Sequence, residues 1–501
     1  MPTEKPLDAV IIGSGIGGLS TGIILARLNH RVVVIEKNLL PGGLMRSYCR
    51  EGIDCSVGVH YFGAFGPGQP LRRMFDFMGV TDAIAAERMG RGGPIDRYIF
   101  DDFRFDLPEG MDAFAAALET AFPEDRNPIA AIIGNLRVVA DLQSSLSFLS
   151  SPAIPFLGMD FFSPLAVYLT KLNCSSRLRN VLSIAARWMG LSEHDCPVIY
   201  HHLALTSYLL SAWRLQGRGS DLAEVFSARF TALGGSLICN DPATEILIEG
   251  QAVAGVRLAS GRVLRGTRVV AAVHPGVVLD MLPEGAVQPR KARRIRSLAG
   301  TEGLFAAHVL LDAQTHPALP YNICRMHTDR EGWIADGVFY QLRAASEGKS
   351  LLMMITRSPF AEWRRWQDTF TGRRGAEYNK EKMSRVDGLL GKAEEIFGSL
   401  AGGKIIDAYT PLTIRDWVNS PDGAPYGIMR SASQLSATSA LHRAPVNGLF
   451  FAGQNLLAPG ILGTVLGSFQ AVRQIMGNDN FAPVFEAILQ ETGTRGRTGR
   501  T

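Results

Sequence analysis

The sequence is short of cysteine, of long uncharged runs and of clustered charge, and each shortage removes a class of protein. Its six cysteines, Cys49, Cys55, Cys174, Cys196, Cys239 and Cys324, include no C-x-x-C pair, so neither a disulfide framework nor a cysteine metal site is expected. Ala9 to Ala26 lacks charge and approaches the ~20 apolar residues of a membrane span, yet five of its residues are glycine, which suits a buried strand and helix better. Every other stretch of that length is broken by charge or proline. The opening MPTEKPLD shows no basic and apolar leader pattern, so a cytoplasmic setting is expected, with peripheral membrane contact as the alternative. A net charge of +4 argues neither for nor against nucleic acid, because affinity for phosphate depends on clustered basic charge, and no nucleic-acid partner is expected. Arg495, Arg497 and Arg500, set among Gly and Thr, are read as a disordered tail after a C-terminal helix, 481–501. His201 and His202 lie in an apolar helical stretch with no further ligands in view, so no metal is expected.

What is present begins at Asp8: DAVIIGSGIGGLSTGIILARLNHRVVVIE. A short apolar run, three spaced glycines, a helical stretch, a second apolar run and an acid make up a dinucleotide-binding βαβ pattern. Gly13 makes the tight turn, Gly15 lets backbone approach a pyrophosphate, and Gly18 lets the helix pack on the strand. Glu36, ending the second strand, can accept the ribose hydroxyls of an adenosine and would repel a 2′-phosphate. FAD or NAD is therefore implied. Just beyond the acid, Gly42 and Gly43 form a second glycine turn, with Arg46 three residues on. There an NAD domain would usually start an ordinary helix; glycines would instead let backbone lie against a flavin's ribityl and phosphates, with Arg46 available to their charge.

Two later stretches extend the pattern. In Gly217 to Pro275, Ser220 is expected to cap an amphipathic helix that stops at Gly234 and Gly235. Short alternating strands follow, with turns at Glu249-Gly250 and Ser260-Gly261 as in an antiparallel meander, and Arg268 to Val273 could rejoin the central sheet. In Asn447 to Gly477, Leu449 to Ala452 is a buried strand, Gly453 turns, and Gly460, Gly463 and Gly467 allow close approach before and within a helix over Ile461 to Met476. Its N-terminus would aim partial positive charge at a bound flavin.

The glycine loop after the βαβ unit resembles that of the FAD-containing amine oxidase and phytoene desaturase superfamily. GVHYFG at Gly58 to Gly63, TPLTIRDWVNSPDGAPYGI at Thr410 to Ile428 and GLFFAGQNLLAPGILGTVLGS together resemble the phytoene desaturase-related group of carotenoid desaturases, carotenoid isomerases and retinol saturases. The His-Tyr pair is most like the retinol saturase branch. The resemblance covers the N-terminal quarter, Gly217 to Pro275 and the last hundred residues.

It implies an α/β fold: a Rossmann-like FAD-binding domain, discontinuous over 1–75, 211–290 and 440–480, with an inserted α+β substrate domain, 76–210 and 291–439. FAD contacts are expected from Gly13, Gly15, Ile16, Gly17, Gly18, Glu36, Lys37, Gly42, Gly43, Leu44, Arg46, His60, Gly453, Gln454, Gly463 and Thr464, and at the adenine from Thr244. The stretch from Ser147 to Asn173, rich in Phe, Leu and Pro, is read as a helical subdomain core, a greasy tunnel wall or a face dipping into a bilayer.

The implied activity is that of an FAD-dependent oxidoreductase on carbon-carbon bonds of a lipophilic polyene or isoprenoid such as a carotenoid or retinoid, with an unassigned electron partner. Such a site needs few polar residues. His60, Tyr61 and Tyr426 are the candidates for the accompanying proton, with backbone support as the alternative role for His60. Isomerisation by reduced flavin, an amine oxidase, or a flavin-bearing binding protein without turnover are the alternatives. An amine oxidase would need an aromatic cage and a lysine near the flavin, and the sequence signals neither. The purified protein is expected to be yellow and to release FAD on denaturation; colourless protein that takes up no added FAD would contradict the cofactor assignment.

Overall fold

The structure, a computed structural model, describes residues 7–150, 158–346, 348–443 and 445–494. The basic tail 495–501 and residues 151–157 of the greasy stretch lie outside them.

A five-stranded parallel sheet organises the chain. Ala9–Ile12 pairs with Val32–Ile35 on one side and Val269–Ala271 on the other, and Ser236–Ile238 and Leu449–Phe451 form the two edges. The three central strands are buried at every position, which is why they read as continuous apolar runs without alternation. Four neighbouring strands run out into Glu36, Gly13, Ala272 and Ala452, in that spatial order, with Gly453 turning next. Three steps of ~4.8 Å spread these ends over about 14 Å of one sheet edge.

Glycine sets how closely the helices over this sheet approach. Ile16–Arg27 lies between Gly219–Ala232 and Gly460–Met476. A Cβ on Gly17 would stand 2.8 Å from Gly453 Cα, and one on Gly467 only 2.3 Å from Gly453 O. Ser468 Oγ closes the contact by donating to Gly17 O at 2.8 Å. On the other flank, a Cβ on Gly22 would meet the Phe230 ring at 2.9 Å.

The helix Gly219–Ala232 begins differently from expectation. Its N-cap is Arg218, whose N–H donates to Asp221 Oδ2 at 2.7 Å, and Ser220 sits inside the first turn. A carboxylate in that turn accepts more strongly than a hydroxyl and also matches the positive end of the helix. Gly234, at φ +86°, ends the helix. The meander follows as Ala243–Glu249, Ala252–Leu258 and Val263–Arg265, turning at Gly250 and Gly261 with φ +63° and +86°.

The rest of the chain builds a second sheet. Its seven strands run in the order Lys404–Tyr409, Leu304–Asp312, Lys349–Arg357, Ile334–Ser346, Asn322–Thr328, Asp96–Ile99 and Arg104–Leu107. All pairs are antiparallel except Asn322–Thr328 with Asp96–Ile99. That parallel pair joins residues from before and after the meander, so distant stretches share one sheet. The helices Arg126–Ser145, Ser176–Arg187 and Val198–Leu210 pack beside it around their own apolar core. His201 and His202 are buried in the last of these, with Nδ1 facing Nδ1 at 2.9 Å and His201 Nε2 on Leu182 O at 2.9 Å. The greasy stretch serves both the core and the cavity wall: Leu165, Tyr168 and Leu169 are buried, while Phe162 lines a cavity and is partly exposed.

Gly467→Ala is expected to lower stability by ~1–3 kcal/mol, the usual cost of overpacking, because the obstructing atom is backbone. A thermal melt indistinguishable from the parent would contradict the close-approach argument.

Candidate active site

A cleft of about 480 Å³ runs along the strand ends of the parallel sheet. Gly13, Gly15, Ile16, Gly17, Glu36, Lys37, Gly42, Gly43, Leu44, His60, Thr244, Gly453, Gln454 and Thr464 all line it, although they come from five separated stretches. Its narrow middle is made by two glycine loops that touch: Gly15 and Gly42 form a parallel bridge, and a Cβ on Gly43 would stand 3.1 Å from Gly15 Cα. Side chains there would fill the space a pyrophosphate needs, so the residues present fit a dinucleotide. The N-termini of the helices Ile16–Arg27 and Gly460–Met476 both open on this cleft, which favours an anionic occupant.

Three expected contacts stand elsewhere. Gly18 backs the turn, since a Cβ there would lie 1.8 Å from Gly13 O. Gly463 lines the neighbouring cavity instead. Arg46 lies over the Trp417 ring and donates to the carbonyls of Gly43, Leu40 and Trp417, each at 3.4 Å, so its guanidinium is engaged at the loop's outer side. Glu36 lines the cleft, but its carboxylate is already engaged: Oε2 accepts from Ser14 N and Ser14 Oγ, and Oε1 from Asn38 N at 2.9 Å and Asn38 Nδ2 at 2.7 Å. A ribose diol would take the places of the two side-chain donors, which can rotate aside.

A second cavity, about 1310 Å³ in volume, opens onto the cleft. Val59, His60, Leu304, Ile355, Tyr426 and Ile461 line both spaces, so the junction is where an occupant of the cavity would meet the inner end of an occupant of the cleft. Much of the wall is apolar or aromatic: Tyr61, Tyr208, Trp188 and Phe339 form one group, with Tyr61–Tyr208 and Trp188–Tyr208 centroids at 4.7 and 4.6 Å. That aromatic group was not expected from sequence, because its members come from four separate elements.

The three proton candidates differ in environment. His60 is enclosed, its Nδ1 has no hydrogen-bond partner among the described residues, and burial, helped by Arg343 and His308, pushes its pKa down to about 3. It is therefore neutral at pH 7, and the near-neutral titration that made it attractive in the sequence is removed by desolvation. The Tyr61 hydroxyl donates to Asp96 Oδ2 at 3.0 Å. Tyr426 has no hydrogen-bond partner for its hydroxyl among the described residues and lines both spaces, with its pKa pushed up to about 12 by burial.

Behind Tyr61 lies a buried polar network that sequence reasoning missed. Asp96 accepts from Asn322 Nδ2 at 2.8 Å, Asn322 Oδ1 accepts from Arg214 Nη2 and Gln341 Nε2, each at 3.0 Å, and Gln341 Nε2 also reaches His60 O at 3.3 Å. The network fixes the His60-Tyr61 segment from below. One signal was available: Asp96 and Tyr98 occupy the inward positions of a strand, and an inward acid needs partners. The pairing of Asp96 with Asn322 could not be read from sequence, since it depends on sheet register. Burial raises the Asp96 pKa to about 6 against the hydrogen bonds from Asn322 and Tyr61.

The chain matches the NAD(P)-binding Rossmann-like domain over residues 11–78. It is 24% identical to an all-trans-retinol 13,14-reductase of Macaca fascicularis, over 98% of this chain and 88% of that protein. It is 21% identical to a chloroplastic prolycopene isomerase of Daucus carota, over 97% and 83%. Among solved structures, the cyclohexylamine oxidase of Brevibacterium oxydans IH-35A superposes with a TM-score of 0.59 at 18% identity, covering 96% of this chain and 99% of that one. The chain thus has a Rossmann-like α/β fold, shared over nearly its whole length with that structure.

The buried acid carries a definite sign for stability. Because the folded state holds the Asp96 proton up to about 6 against 3.8 for a free side chain, its contribution is fully present below 3.8 and is lost as pH rises through about 6. Asp96→Asn, measured against the parent in melts across pH 3.8 to 7, is expected to gain relative stability over that window. A constant difference between the two proteins would contradict the assignment.

Proposed function

We propose that this chain is an FAD-dependent oxidoreductase that acts on a carbon-carbon bond of a lipophilic polyene or isoprenoid, with the reacting bond held at the junction of the two spaces. The observation that carries the reading is that junction, where a large, mostly apolar cavity meets the inner end of a dinucleotide cleft. Near-full-length similarity to retinol reductases and prolycopene isomerases supports it. The FAD would lie with its adenosine toward Glu36 and Thr244 and its pyrophosphate between Gly15 and Gly43. When bound, the flavin supplies a two-electron hydride acceptor or donor.

The chain's own residues then have limited tasks. The aromatic and aliphatic walls orient an extended chain and exclude water, which suits chemistry that must not be quenched by solvent. Tyr426 holds the exchangeable proton that accompanies the hydride, because of the two candidate hydroxyls its own is not engaged among the described residues while that of Tyr61 donates to Asp96. Tyr61, committed to Asp96, orients the segment that carries His60, and neutral His60 offers a ring N–H without a charge.

A flavin amine oxidase is the second reading, favoured by the aromatic group around Tyr208 and by the fold. Against it, the cavity lining contains no lysine, and Lys37 at the cleft is tied to Asp416 O at 2.6 Å. Anaerobically reduced enzyme offered retinoids and carotenoids is expected to reoxidise with a product two hydrogens heavier if it saturates; a geometric isomer with flavin still reduced identifies isomerisation, and oxidised enzyme bleached by a polyene identifies desaturation. Flavin reduced by amines and inert to polyenes would overturn the reading. Tyr426→Phe is expected to keep FAD and lose ~10²–10⁴ of turnover, the range for a general acid or base.

A further inference from the structure

The wall of the large cavity changes character along one helix. Gly460–Met476 lines it at both ends: its first turn borders the junction, and its last turns present Gln470, Arg473 and Gln474. From Ile461 to Arg473 the axis advances about 18 Å at ~1.5 Å per residue. Beside those last turns, the segment following Arg430 adds Ser439, His442 and Arg443 to the same lining.

This end is basic. Arg473 is buried, with Nη1 held by Leu149 O at 3.0 Å, and Arg443 is exposed and forms no ion pair among the described residues. His442 is held low, to about 4, by burial and then by Arg430 and Arg473, with no acid among the causes, so the local field is positive. The exposed helix Pro289–Arg296, carrying Arg290, Lys291, Arg293 and Arg294, is tied to this segment by Arg294 Nη2 on Ser436 O at 2.6 Å; it is a basic cluster that the sequence reading passed over. The acids of the cavity lining are engaged: Glu302 pairs with Arg357 at 3.1 Å, Asp336 with Lys392 at 3.1 Å, and Asp195 accepts from Ser192 Oγ at 2.5 Å.

We propose that this end receives the terminal acid group, carboxylate or phosphate, of a long apolar chain whose reacting bond lies at the junction about 18 Å away. The proposal rests on the carbon-carbon reading and names the substrate class for it: an amphipathic polyene or isoprenoid acid. Guanidinium groups beside amide and hydroxyl donors suit an oxyanion, a hydrocarbon terminus would bring no counter-charge to Arg443, and an ammonium would be repelled. The helix acts as a ruler, because its two ends address the two ends of one ligand.

Binding to the holoenzyme can be followed by quenching of tryptophan fluorescence, since Trp188 lines the cavity. The probes are geranylgeranoic acid, geranylgeranyl phosphate, geranylgeraniol and inorganic phosphate, the three lipids sharing one chain long enough for the span. At least one of the two acids is expected to bind about tenfold more tightly than geranylgeraniol, and the tighter of the two identifies the head group. Inorganic phosphate alone should compete weakly. Arg443→Gln and Arg473→Gln should each lower acid affinity more than geranylgeraniol affinity; the exposed position of Arg443 keeps the test valid if the Arg473 variant fails to fold. Equal affinity for acid and alcohol in the parent, or an acid preference unchanged in a folded variant of each arginine, would overturn the proposal. Tight acid binding with no ligand exchanging electrons with the flavin would leave the head-group site standing and remove the oxidoreductase reading. Turnover of retinol with no acid preference would do the reverse.

Discussion

The structure depends on a contact that admits no side chain. Gly17, Gly453 and Gly467 bring the first helix, the last strand's turn and the helix Gly460–Met476 within backbone distance, and Ser468 adds the hydrogen bond that holds them. Residues more than four hundred positions apart are thereby locked at one edge of the sheet. The same contact sets the axis of Gly460–Met476, and that helix in turn lines both the cleft and the large cavity. Moving it would displace the N-terminus that faces the cleft and the arginine near its other end together.

The site built on this frame separates polarity by position. Backbone amides and glycines surround the cleft, carbon lines much of the cavity, and charge gathers where occupants would end. Between these, buried histidines are kept neutral by desolvation: His60, His201, His202 and His308 all have lowered pKa values. Titratable groups near the junction therefore hold one protonation state through neutrality. The exception is Asp96, whose raised pKa places it behind Tyr61 as a buried group that changes charge closest to neutral pH.

Several elements were legible because their physics is local. The turn at Gly13, the acid at Glu36, the glycine stop at Gly234 and the meander turns at Gly250 and Gly261 each follow from residues a few positions apart. Ser220 misled for the same local reason: it is a good cap by type, and Asp221 one position later is a better acceptor. The surroundings of Arg46 were not legible, because the carbonyl of Trp417 that it reaches comes from a segment some 370 residues away. Asp96 could not be placed at all without the register that sets it opposite Asn322.

The sequence by itself determined that an adenine dinucleotide fits here, in which order the supporting pieces follow, and which family of folds they resemble, because steric demands at glycine and hydrophobic periodicity act over a few residues. Only the tertiary structure decided that the Tyr61 hydroxyl is committed to Asp96, that Tyr61 and Trp188 pack on Tyr208, and that basic residues from two separate segments line one end of a cavity. Those outcomes follow from desolvation, sheet register and helix direction, which exist only once distant segments are packed together.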